Sequence, residues 1–267
     1  MIWWSALCAV ALANIAAWGI SAWLLRGRRE DFPADVYATR WLLLWLAAVY
    51  VAGCAFRSFL PMLDVQRFCL HDTWISRIFV GRSVATVAEL AFALQWALLL
   101  REAGARRVSR TIVPLIAAAE VLSWLAVLTT NDLFHAAENA VWTLAAASAI
   151  AFLASRWRHE DDRGKGVIAG AMGGAGAYVA FMLAYVLPMY LVRWHADAVA
   201  DREYLALAEG LQQVLAHCVV QYDWALWAQD AAWLTPYFTL AVWISIALAH
   251  LPSMKNRALT PIFREAA

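Results

Sequence analysis

Ionisable side chains interrupt otherwise apolar stretches of this 267-residue chain at five places. Arg82 and Glu89 lie within the run 78–100, and Glu120 lies within 112–129. Glu138 opens the run that follows, and Arg57 closes an earlier one. A charge held in hydrocarbon costs at least ~2.5–3.5 kcal/mol on insertion scales. Such residues are expected to face a bundle interior, pair with one another and mark a site. Arg82 and Glu89 are seven apart, which puts them on one helix face. At 1.5 Å per residue, Arg82 falls about 6 Å below one end of its helix and Glu89 near the middle, with Glu120 at a matching depth on the next. Two carboxylates at one depth in a low dielectric should not both stay ionised, so one is expected to hold a proton or bind a cation. The plainer reading is that Arg82, Glu89, Glu120 and Glu138 pair and keep the helices in register without chemistry.

Other residue types point to other chemistry. His135-Ala-Ala-Glu138 sets two potential metal ligands at i and i+3, on one face of a helix end. His71, Asp72, His217 and Asp223 lie in connecting segments that could complete such a site. The metal-ligand candidates are therefore His135, Glu138, His71 and His217. The spacing is weakly specific, and no His-Glu-x-x-His run is present. Arg57, Arg67, Arg77, Arg82 and Arg193 fall near one headgroup level, where a guanidinium can clamp a phosphate or carboxylate. Ordinary headgroup contact is the simpler role for each. Cys69 and Cys218 both fall in connections on that same side and form a disulfide candidate if it is oxidising. Cys8 and Cys54 lie inside apolar runs and read as small packing residues.

The elements that carry these residues follow from composition. The chain is 64% hydrophobic and only 15% charged, with mean hydropathy +0.60, whereas a soluble domain has about 25% charged residues. A membrane helix needs about 20 apolar residues. Seven runs qualify, at 2–25, 38–60, 78–100, 111–130, 134–155, 166–191 and 231–251. The first is too long for a signal-peptide core and lacks a basic leader, so it reads as a retained span. The expected fold is an all-α bundle of seven transmembrane helices in one domain. An added amphipathic helix over about 203–222 is expected on the outer surface, with Leu207, Leu211, Val214, Leu215 and Cys218 on one side.

Orientation follows from charge. Fifteen of the 21 Lys and Arg fall in connections 26–40, 101–110, 156–165 and 252–267, and the spans alternate consistently about them. The positive-inside rule then places the N-terminus outside and the C-terminus in the cytoplasm. Trp3, Trp4, Trp23, Trp41, Trp74, Trp157, Trp194 and Trp233 lie near span ends and read as interfacial belts. Gly166, Gly170 and Gly174 share a helix face that predicts tight packing inside the bundle, or a homo-oligomer contact. Pro188 predicts a kink or end in the sixth span. Ala- and Arg-rich composition suggests a bacterial inner membrane.

Several function classes are disfavoured. Net charge +1, with no basic tract, zinc knuckle or P-loop, gives no reason to expect nucleic acid. The last span has no Lys for a Schiff base, which argues against retinal; topology alone leaves a seven-helix receptor without retinal as one alternative. The leading expectation is a membrane protein binding a small polar molecule, ion or lipid headgroup in an outward-facing polar cavity. Arg82, Glu89, Glu120, Glu138, Arg57, His71 and Asp72 are its candidate binding residues, and transport or proton-coupled transfer its candidate class. The second expectation is a membrane-embedded enzyme, with a metal ion as candidate cofactor, acting on a lipid or lipid-linked substrate.

Overall fold

A computed structural model of the chain describes residues 2–160, 162–216 and 218–253. Among the described residues, seven helices are long and apolar enough to cross a membrane. The first five are α1 (Ile2–Gly27), α2 (Ala34–Phe59), α3 (Ile78–Glu102), α4 (Arg106–Thr129) and α5 (Asp132–Arg156). The sixth is built from α6 (Asp162–Phe181), a π turn (Met182–Val186) and α7 (Leu187–Val199). A ten-residue helix, α8 (Leu207–Ala216), precedes the seventh, which is split into α9 (Trp224–Phe238) and α10 (Leu240–Leu248). The first six spanning elements pack in chain order, each against the next, and α9 and α10 close against α1, α2 and α3. The lysines and arginines at 255, 257 and 264 that enter the orientation argument lie outside the described residues.

Two spans differ from the sequence expectation, and each carries a proline. The sixth does not end near Pro188 but runs on to Val199. The π turn absorbs the defect: Leu187 N–H bonds to the Met182 carbonyl, five residues back, so Pro188 enters at the first turn of α7, where no N–H is needed. The seventh begins at Trp224 rather than 231. Asp223 caps it by accepting from Ala225 N–H at 3.0 Å. Pro236 cannot donate into this helix, and the helix breaks at Thr239. Asn14 of α1 repairs the break by donating to the Phe238 carbonyl at 2.9 Å.

The connections at one end form a small ordered cap. Strands β1 (Met62–Leu63) and β2 (Phe68–Cys69) pair antiparallel, and β3 (Val219–Val220) joins β2 in parallel. Cys69 and Cys218 are disulfide-bonded with Cα atoms 5.8 Å apart. The turn between β1 and β2 is held by arginines. Arg67 takes the left-handed conformation (φ 61°) and donates to the carbonyls of Asp64 and Val127, both at 2.6 Å. Helix α8 lies against α4, and Gly210 is the reason it can. A Cβ there would sit 1.8 Å from the Leu128 carbonyl oxygen. Only the Gly210 and Val214 side of α8 is buried; Leu207, Leu211 and Leu215 are exposed. The helix is shorter than 203–222 because the chain beyond it is drawn into β3.

At the opposite, arginine-rich end, Arg40 is fully buried and bonds Glu102 through two 2.8 Å contacts, and also the Leu251 and Pro252 carbonyls. Deeper in, Gln95 ties three helices: it donates to the Leu43 and Ser245 carbonyls and accepts from Ser245 Oγ. The glycine face of α6 does not pack inside the bundle. Nothing lies within 4 Å of a Cβ built at Gly166, Gly170 or Gly174, so this face points away from the other helices.

Candidate functional site

Helix α3 presents Arg82, Thr86 and Glu89 at i, i+4 and i+7, on the face toward α4 and α9. The Arg82 guanidinium uses one nitrogen, Nη2, for two carboxylates: Glu89 Oε2 and Glu120 Oε2, each at 2.6 Å. Thr86 Oγ1 donates to the same Glu120 oxygen at 2.7 Å and accepts from Trp124 Nε1 at 3.2 Å. Tyr237, next to the break in the seventh span, donates to Glu89 Oε1 at 2.6 Å. Glu138 enters from α5. One carboxylate oxygen from each of Glu89, Glu120 and Glu138 lies within 4.8 Å of the others. His135 Nδ1 is 2.7 Å from Glu138 Oε2. All four charged residues are buried, Arg82 with 4% and Glu120 with 3% of their surface exposed.

The electrostatics are unbalanced. One guanidinium faces three carboxyl groups, so a fully ionised centre would carry two surplus negative charges in a low dielectric. Burial of unpaired charge is costly, and protons or a cation must restore the balance. Two atoms show where bonding capacity is left over. Glu120 Oε1 and Arg82 Nε are buried with no hydrogen-bond partner among the described residues.

The centre lies in the half of the bundle nearer the disulfide. From that end, Arg82, Glu138, Glu120 and Glu89 sit about 6, 9, 14 and 16 Å along their helices at 1.5 Å per residue. Polar groups continue outward from it. The His135 ring lies 5.0 Å from that of Tyr190, which in turn lies under the Arg193 guanidinium at 5.8 Å. Arg193 pairs with Asp230 at 2.7 Å, and Trp233 Nε1 donates to Asp230 at 3.1 Å. Away from the disulfide end the character changes. Tyr50 stacks on Phe92 at 4.7 Å, Phe92 meets Trp96 at 5.0 Å, and Trp96 meets Trp142 at 6.1 Å. These rings form a row that runs from the depth of the carboxylates to that of Gln95, toward the Arg40–Glu102 pair.

The structure sorts the sequence candidates. Arg82, Glu89, Glu120 and Glu138 are brought together, and His135 joins them through Glu138. Arg57 instead pairs with Asp64 at 3.0 Å and bonds the Met62 carbonyl, which anchors the cap. His71 packs edge-on to Trp4 at 5.2 Å, and Asp72 is exposed. Neither belongs to the carboxylate group, which is the three-ligand cluster found among the described residues. His217 lies outside the described residues. Sequence reasoning missed Thr86, Tyr237 and the buried Arg40–Glu102 pair. Thr86 was readable, since it shares the Arg82–Glu89 face; Tyr237 depends on a helix break that spacing does not reveal. No protein family, curated protein or solved structure matches this chain.

Proposed function

We propose that the Arg82–Glu89–Glu120–Glu138 centre binds a proton or small cation, as a step in transport or proton-coupled transfer across the membrane. One observation carries this reading: three buried carboxylates converge within 4.8 Å around a single arginine. Such a group attracts cations and repels anions, which disfavours a lipid phosphate or free carboxylate as its ligand. His135 and Glu138 supply groups that can pass a proton inward, and Thr86 and Tyr237 fix the carboxylate oxygens. The aromatic row that leads on from the centre would act as the seal that a transfer step must open.

Two features support an orientation with the N-terminus outside a bacterial inner membrane. The disulfide belongs in an oxidising compartment, and the arginine-rich connections lie at the other end of the bundle. The centre then faces the periplasmic half. Helix α8, with its exposed leucines, would lie at the outer membrane interface.

A second reading rests on the same oxygens. Three carboxylates at this separation can ligate a hard divalent cation, with His135 orienting Glu138. That would make the protein a metal-dependent membrane enzyme acting on a lipid or lipid-linked substrate. Two measurements decide. In liposomes under an imposed pH or cation gradient, the wild type should carry flux that falls at least ~10-fold in Glu120→Gln. Equal flux in wild type, Glu89→Gln and Glu120→Gln would sink the transfer reading. Metal analysis of purified protein addresses the second: stoichiometric divalent metal lost in Glu120→Gln but kept in His71→Ala would establish a metal centre.

A further inference from the structure

The arginine-rich end holds a crevice that the carboxylate centre does not use. It lies between α3 and α4, has a volume of about 640 Å³, and its mouth carries Arg101, Arg106 and Arg110. Each helix contributes a matched face. On α3, Leu94, Leu98 and Arg101 stand at i, i+4 and i+7; on α4, Arg106, Arg110 and Val113 do the same in the opposite chain direction. The two faces therefore place guanidinium groups at the mouth and aliphatic side chains about 5–10 Å deeper along the helices. Ser109 lies between the walls, but its hydroxyl is already committed to the Ala97 carbonyl at 2.8 Å. The crevice wall thus offers no competing polar group below the arginines.

Among the described residues, no carboxylate pairs with the charge at the mouth. Arg101, Arg106 and Arg110 are exposed and make no ion pair or hydrogen bond among the described residues. The nearby carboxylates are spent elsewhere: Glu102 on Arg40, and Glu160 on Arg156. Three guanidinium groups within two helical turns of one another would repel unless an anion stood between them. Guanidinium groups match phosphate oxygens in geometry as well as charge. The apolar walls beneath have no use for a free anion, but they fit the acyl chain of an amphiphile.

We propose that this crevice is a binding site for one anionic phospholipid, its phosphodiester held by Arg101, Arg106 and Arg110 and an acyl chain laid against Leu94, Leu98 and Val113. The site is at headgroup level whichever way the chain faces, and it does not depend on the ligand of the carboxylate centre. The test is native mass spectrometry of detergent-purified protein supplied with phosphatidylglycerol or phosphatidylcholine. The wild type should retain one phosphatidylglycerol per chain and at least 10-fold less phosphatidylcholine. The triple variant Arg101→Gln/Arg106→Gln/Arg110→Gln should lose that preference, whereas Arg107→Gln, outside the crevice, should keep it. Leu98→Trp, which fills the crevice and leaves the charges in place, should also displace the lipid, so the result does not hang on the triple variant folding. Equal retention of the two lipids by the wild type would overturn the proposal. So would displacement of the lipid by millimolar inorganic phosphate, which would mark a site for the free anion.

Discussion

Arg82 spends a single nitrogen on two carboxylates, so its removal strands both of them in the bundle interior. Taking one partner from a buried charge pair costs about 3–5 kcal/mol, because the remaining charge stays desolvated. Arg82→Leu should therefore lower stability in detergent by at least that much, read as a drop in thermal unfolding midpoint. Pairing it with Glu120→Gln should return part of the loss; no recovery would mean that Arg82 acts by packing alone. Tyr237→Phe is a milder probe, since it removes the hydroxyl that donates to Glu89 Oε1 and keeps the ring. A cost of about 1–2 kcal/mol is expected, with a shift of the carboxyl infrared band that Glu89→Gln abolishes. The charged members of this network are legible in the amino-acid sequence, because charge inside an apolar run has few explanations. Their roles are less so. Arg57 and Arg82 look alike in sequence, yet one pins a turn and the other organises the carboxylates, a difference set by which partner lies within reach.

Helices are positioned here by a few close approaches, and these make separate predictions. Gly210 touches the α4 backbone at Leu128. Gly210→Ala cannot be accommodated without moving α8, so it should cost roughly 2 kcal/mol or more and increase proteolysis between α7 and α9. By contrast, Gly170→Ala meets open space and should be neutral or slightly stabilising. That contrast reverses the sequence reading, in which the glycine-spaced face of the sixth span marked tight packing. Spacing shows which residues share a face but not whether a neighbour occupies it. The same limit explains the sixth and seventh spans. Pro188 was visible, but not the π turn that accommodates it, and the asparagine of α1 that repairs the break after Pro236 is remote in the chain.

At the scale of the whole molecule, the seven-span reading rests on length and apolarity, which are local properties and therefore legible. Which helices touch, and where the interior is aromatic or acidic, are not. The cap ties the two halves of the chain together: β2 pairs with β3, and Cys69 is bonded to Cys218 across 149 residues. Removing that link in Cys69→Ser/Cys218→Ser should lower stability by about 2–4 kcal/mol. In intact cells, a membrane-impermeant maleimide should label the wild type only after reduction. No labelling even after reduction would place that end of the bundle on the side the reagent cannot reach and overturn the orientation with the N-terminus outside.

The same bond sets a timetable for biogenesis. In that orientation, Cys69 is translocated early, while its partner must wait for helices α3 to α8 to be made. At synthesis rates of roughly 5–20 residues per second, the 149-residue interval lasts about 7–30 s. Throughout it, the thiol of Cys69 faces the oxidising compartment without its mate, and β2 presents an unpaired edge. The outer cap is thus completed only once the sixth crossing has been made, and a chain stalled before that point would carry a reactive cysteine that a finished one does not.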